Sequence, residues 1–144
     1  MANHVRRQLR EAVATAVTGL TTTGARVYQS RVYPLQTTDL PCLVVTSDGD
    51  DIEYLTLNTP AQQQRETTIR IEAYVRGTAD VDDTMDLISK EVEIAIAGMS
   101  TFKNITLRAT RLEMDQGDQP IGKNTMIFKT DLYTVSNAPD VLIG

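Results

Sequence analysis

Apolar residues recur at steps of three and four from the start of the chain: Val5, Leu9, Ala12, Val13, Ala16 and Leu20. That is the helical period, so these six share one face of a helix that Asn3 can cap. Gly19 and Gly24, around the run Thr21 to Thr23, supply its stop, and Arg6, Arg7 and Arg10 lie on its polar side. A second stripe, Val81, Met85, Ile88, Val92, Ala95 and Met99, predicts a helix from about Asp80 to Ala97. Asp80, Asp82, Asp83 and Asp86 crowd its first turns, where carboxylates meet the positive end of the helix dipole. Leu87, Ile94 and Ile96 widen its apolar surface beyond one stripe.

Elsewhere the period is two. Glu66 to Arg76 alternates without a break, with Thr67, Ile69, Ile71, Ala73 and Val75 on one face and Glu66, Thr68, Arg70, Glu72, Tyr74 and Arg76 on the other. Val27 to Tyr33 predicts a short strand closed by Pro34, and Gln36 to Asp39 a polar loop. Cys42 to Thr46 is apolar on both faces, which predicts a strand covered on both sides. Ile105 to Met114 and Thr125 to Ser136 predict two more strands, joined by the turn-rich Asp115 to Asn124. Asp48 to Asp51 suggests a turn, and residues 48–65, with Pro60 and three glutamines, suggest a long polar loop. An apolar triplet, Val141, Leu142 and Ile143, ends the extension 137–144. The expected architecture is one α+β domain over residues 1–144. It has a mostly antiparallel sheet of four to five strands and two main helices packed on one face.

Composition then narrows the chemistry. With 41% hydrophobic and 23% charged residues the chain is of globular type. Its net charge of −5 and its lack of Trp argue against a phosphate-gripping or base-stacking surface. One cysteine, Cys42, and one histidine, His4, leave no disulfide framework and no Cys/His metal set. Asp80, Asp82, Asp86 and Glu91 space superficially like a calcium loop, but Met85 stands where the tight turn needs glycine. Asp48, Asp50, Asp51 and Glu53 suggest a solvated acidic turn. Nucleophile-elbow, dinucleotide and P-loop motifs are absent. No catalytic residue, cofactor or metal is expected. The polar-side arginines suggest a solvated helix face, partly paired with Glu11. Three features suggest protein–protein contact instead: Tyr54, Leu55 and Leu57 in the polar loop, the outward face with Arg70, Glu72 and Tyr74, and the triplet Val141–Ile143.

The succession Arg31-Val32-Tyr33-Pro34, Leu40-Pro41-Cys42-Leu43-Val44-Val45, a polar loop, Arg70-Ile71-Glu72-Ala73-Tyr74-Val75, then Asp86-Leu87-Ile88 leading into Glu91-Val92-Glu93 resembles the tail terminator proteins of long-tailed bacteriophages. These are also called minor tail protein U-like or tail completion proteins. The resemblance is one of order and length over most of the chain. It implies a virion protein, assembled in the host bacterial cytoplasm, whose homohexameric ring caps the head-proximal end of the tail tube. Such a ring stops tube polymerisation and presents a docking surface to the head, its connector or a stopper protein. DNA would pass through the lumen without specific binding, and no membrane is involved. Another neck or tail component (a head–tail connector or tube protein) and a small binding module are the alternatives.

Overall fold

The strand with the strictest alternation organises the fold. In the computed structural model, which describes residues 3–29, 40–115 and 120–143, it runs as β3 (Gln62–Arg76) through the centre of a five-stranded sheet. Its burial alternates along the whole length, and Thr67, Ile69, Ile71, Ala73 and Val75 all face the core. The other elements, in chain order, are α1 (Val5–Ala16), β1 (Val27–Tyr28), β2 (Cys42–Tyr54), α2 (Val81–Ala97), β4 (Thr106–Asp115) and β5 (Ile121–Val135). The sheet order is β1-β2-β3-β5-β4. Only β1 pairs in parallel, with β2, and the other three pairings are antiparallel. This is the expected α+β architecture.

Both helices lie on one face. Val5, Leu9, Val13, Ala14 and Val17 from the α1 side, and Val81, Met85, Ile88, Val92 and Ile96 from α2, form one cluster with Leu43, Val45, Ile69, Ile71, Met126, Phe128 and Leu132 of the sheet. Ala14 and Val17 take the places in the buried stripe that the three-and-four spacing assigned to Ala12 and Ala16. At the same core, Gly122 lets β5 approach α2: a Cβ there would stand 2.7 Å from Val81 Cγ2. Cys42 and Val44 point away from the helices yet are buried, so the opening of β2 is covered on both faces, as its composition implied.

Several boundaries differ from the sequence expectation. Residues 48–65 are not a loop. β2 continues to Tyr54 and β3 starts at Gln62, in register from Asp50↔Thr67 to Tyr54↔Gln63, so only residues 55–61 form the connection. The expected turn at Asp48 to Asp51 is a β-bulge within β2, between Ser47 and Gly49. Gly49 there has φ 103°, a left-handed conformation that favours glycine. β3 and β5 pair over 15 residues, from Gln62↔Val135 to Arg76↔Ile121, and this partner holds the polar stretch Gln62–Gln64 in a strand. His4 rather than Asn3 caps α1, its Nδ1 accepting from the Arg6 N–H at 3.1 Å. Of the strand expected over Val27 to Tyr33, Val27 and Tyr28 are paired, while residues 30–39, including Arg31 to Pro34 and the loop Gln36 to Asp39, lie outside the described residues.

Candidate functional site: apolar surface at one end of the sheet

The far end of the β2–β3 hairpin carries a cluster of exposed apolar side chains. Ile52 and Tyr54 lie on the helix-side face of β2, beyond the reach of α1, and Leu55 and Leu57 occupy the connection. Tyr54 is 63% exposed and Leu57 fully so (105% relative exposure). The connection is nevertheless anchored at its base: Leu55 N–H donates to Gln62 O at 2.8 Å and Gln62 N–H to Thr56 Oγ1 at 2.9 Å.

The C-terminal segment folds back to the same end. Ser136 N–H donates to Ala61 O and Ala61 N–H to Ser136 Oγ, at 2.8 and 3.0 Å. Val5 N–H at the start of α1 donates to Pro139 O at 2.9 Å, and Gln8 Nε2 to Asp140 O at 2.8 Å. Ile143 N–H then reaches Tyr133 O at 2.9 Å. One backbone carbonyl of the segment thus receives an orphan donor of the first turn of α1, the Val5 N–H, and another receives the Gln8 side chain. Val141 and Leu142 remain exposed and Ile143 is half-buried. The fold thus sets two apolar groups along this end of the sheet: Tyr54, Leu55 and Leu57 at the β2–β3 connection, and Val141–Ile143 on the far side of β3, where Leu142 and Ile143 lie by Phe102, Lys103 and Tyr133. It also adds Ile52, which the expected loop had hidden.

Beneath this surface lies a buried ionic cluster that no local sequence signal announced. Asp50, read from sequence as part of a solvated turn, is 6% exposed and accepts from two arginines, Arg65 Nη1 and Arg6 Nη1, each at 3.0 Å. Arg65 also donates to Thr134 Oγ1 at 2.9 Å and Gln63 Oε1 at 3.1 Å, so its guanidinium fork is well satisfied inside the structure. Arg6 thereby leaves the solvated helix face to which the spacing assigned it, whereas Arg7 pairs with Glu11 at 2.7 Å as expected. Burial, followed by the Arg6 charge, pushes the His4 imidazole below its ordinary pKa. Its Nδ1 is occupied as the helix cap.

Arg70, Glu72 and Tyr74 are not part of this end. They lie on the sheet face away from the helices, tied into ion pairs: Arg70 with Asp48 at 2.9 Å, and Glu72 with Lys123 at 2.9 Å. Tyr74 Oη donates to Glu72 Oε2 at 3.2 Å. Burial, then the Glu72 charge and this hydrogen bond, push the Tyr74 phenol up to about 12. Tyr74 stands opposite Cys42 in the register and Lys123 on its other side, half-buried among them.

Among the described residues no group of three or more His, Cys, Asp or Glu is placed to hold a metal ion. The acidic start of α2 is a helix N-terminus, with Asp80 accepting from Thr78 Oγ1 at 2.6 Å. Glu91, the last member of the superficial calcium spacing, instead receives Thr22 N–H and Oγ1 at 3.0 and 2.8 Å, tying α2 to the turn after α1. A shallow groove of about 580 Å³ lies between the two helices, lined by Glu11, Ala12, Thr15, Ala95 and Met99 among others. No described helix is long and apolar enough to cross a membrane.

In its layering this is a one-faced α+β sheet protein whose exposed apolar residues concentrate at one sheet end and along β4. No protein-family profile and no curated protein matches the chain. Among solved structures it is similar to a chain of the virion of a native gene transfer agent particle, at 16% identity and TM-score 0.49, over 91% of this chain and 92% of that one.

Proposed function

We propose that this chain is a structural subunit of a bacteriophage tail, a terminator that closes into a hexameric ring on the head-proximal end of the tail tube. In this role it stops tube polymerisation and presents the next docking surface to the head, a connector or a stopper protein. The observation that carries the reading is the exposed apolar cluster Ile52, Tyr54, Leu55 and Leu57 on a hydrogen-bonded connection at the sheet end. Apolar side chains held out in a group on an ordered scaffold mark a protein contact. The resemblance of the residue order to the terminator family gives that contact its context.

The mechanism is geometric. The cluster sits past the N-terminal end of α1, while the interhelical groove opens beside its C-terminal half. A copy cannot fill its own groove with its own Leu57, so the two surfaces suit a head-to-tail contact, which closes into a ring when the rotation permits. Val141 and Leu142, exposed on the β5 side of the same sheet end, offer a second apolar surface. One ring face meets the last tube ring, and the other does not continue the tube.

The test is the solution mass of the purified chain over a concentration series, with negative-stain imaging, for wild type and Leu57→Asp. Rings in the wild type, alone or on addition of tube protein, with rings lost in a normally folded Leu57→Asp, support the proposal. Open filaments would point to a tube protein. A monomer indifferent to tail proteins would point to a binding module.

A further inference from the structure

The β4 strand is the exposed edge of the sheet. All but one of its ten residues are exposed, and it has no strand partner on its outer side among the described residues. α2 packs mainly over β3 and β5, and Leu107, Leu112 and Met114 on the helix-side face of β4 are left 36%, 48% and 38% exposed. On the opposite face lie Ala109, Arg111, Glu113 and Asp115, in register with Ile127, Thr125, Lys123 and Ile121. Arg111 and Glu113 are exposed and make no ion pair with another described residue. A long edge of this kind, apolar on one face and free of proline, is a template for strand addition unless something covers it.

We propose that β4 pairs with β4 of a second copy of this chain across a two-fold axis at Leu112, joining two sheets into one. The occupant follows from the order of charges along the strand. A two-fold axis perpendicular to the sheet runs the two β4 strands antiparallel and keeps both helix layers on the same side. Facing residues then share a face, so the axis passes through a residue and not between two. Placed at Arg111, the axis sets Arg111 against Arg111. At Glu113 it sets Glu113 against Glu113 between two Arg111–Asp115 pairs, and at Thr110 it leaves Arg111 opposite Ala109. At Leu112 it sets Arg111 opposite Glu113 twice, by symmetry, with Leu112 against Leu112 and Thr110 against Met114 on the helix-side face. Like charges directly opposite destabilise a strand pair and opposite charges stabilise it, so the strand's own sequence selects one register. The seam buries the outward-facing backbone of residues 110–114, upstream of which the bulge between Leu107 and Ala109 ends the regular ladder.

This contact stands apart from the ring reading, because an isologous two-fold contact ends at two copies and cannot propagate around a ring. It joins free subunits as dimers or couples two rings.

The experiment is sedimentation equilibrium of the full chain over a concentration series, for wild type, Arg111→Glu, Glu113→Arg and the double variant. Where the wild type forms no rings it is expected to reach twice the 15.9 kDa chain mass, and where it forms rings, twice the ring mass. Each single variant places like charges opposite at both symmetric positions and raises the dimer dissociation constant by about tenfold or more. The double variant restores the pairing with signs exchanged and returns the constant to near the wild-type value. Circular dichroism of all four checks the fold, which these exposed side chains do not support. A wild type that stays monomeric, single variants with unchanged mass, or a double variant as impaired as the singles would each overturn the proposal. Leu57→Asp is expected to leave this dimer intact, so loss of rings and loss of the β4 seam are read separately.

Discussion

Removing the carboxylate of Asp50 should damage this protein more than removing any other acidic group described above. The substitution Asp50→Ala leaves the Arg65 guanidinium, 7% exposed in its side chain, without its counter-charge, and cuts the Arg6 link between α1 and the hairpin. Breaking one side of a buried ion pair costs roughly 3–5 kcal/mol. Arg65 keeps two neutral acceptors, Thr134 Oγ1 and Gln63 Oε1, and Arg6 can turn to water, so the low end applies, about 3 kcal/mol. In a chain of this size that lowers the Tm by roughly 10 °C. The assay is urea unfolding followed by circular dichroism, with Asp48→Ala as the control. Asp48 pairs with Arg70 on a partly exposed face, where a pair contributes about 0–1 kcal/mol. Adding Arg65→Met to Asp50→Ala should recover most of the loss, since an apolar replacement of a buried pair is often close to neutral. A loss below about 1 kcal/mol for Asp50→Ala, or a double variant worse than the single, would refute the reasoning.

Three further outcomes follow from other parts of the structure. Truncation after Ser136 removes the acceptors of Val5 N–H and Gln8 Nε2 and the Ile143–Tyr133 bond, and should speed amide exchange at the start of α1 while leaving β3 protected. Gly122→Ala would press a methyl group to 2.7 Å from Val81 Cγ2 and 3.1 Å from Met85 Sδ, and should cost about 1–3 kcal/mol in the same urea assay. The raised Tyr74 pKa gives an alkaline signature. Its neutral phenol is favoured by the fold, so the contribution is complete below pH 10.0 and is lost as pH rises towards about 12, because the unfolded chain gives up that proton first. Tyr74→Phe should remove that part of the alkaline fall in stability, together with a component near 12 in the ultraviolet titration.

Local pattern was enough for the elements whose partners demand one period. The stripe of α2, the alternation of Glu66 to Arg76 and the doubly apolar Cys42 to Thr46 each have a side chain order that only one arrangement buries well. From them the α+β class and the placement of both helices on one face could be stated before any coordinates. The stretch from Asp48 to Arg65 was not legible in the same way. Its residues are polar, its bulge shifts the alternation at Gly49, and it is a strand because β3 finds in β5 a partner along its full length. Tyr54, Leu55 and Leu57 could be singled out as apolar residues in polar company. That Val141–Ile143 come to the same sheet end is decided by the return of the C-terminal segment to α1 and β5, a contact between residues more than 130 positions apart.

Sequence alone thus determined the secondary structure with strong periodicity, the layer arrangement and a list of apolar residues lacking an obvious core. Tertiary structure decided which of those residues meet, and it turned an acidic stretch into a buried clamp. Asp50 and Arg65 are separated by 15 positions and carry no pattern that distinguishes them from their exposed neighbours. Their burial depends on strand register and on the partners that α1 and β5 bring to them, Arg6 and Thr134, and those are properties of the folded chain as a whole.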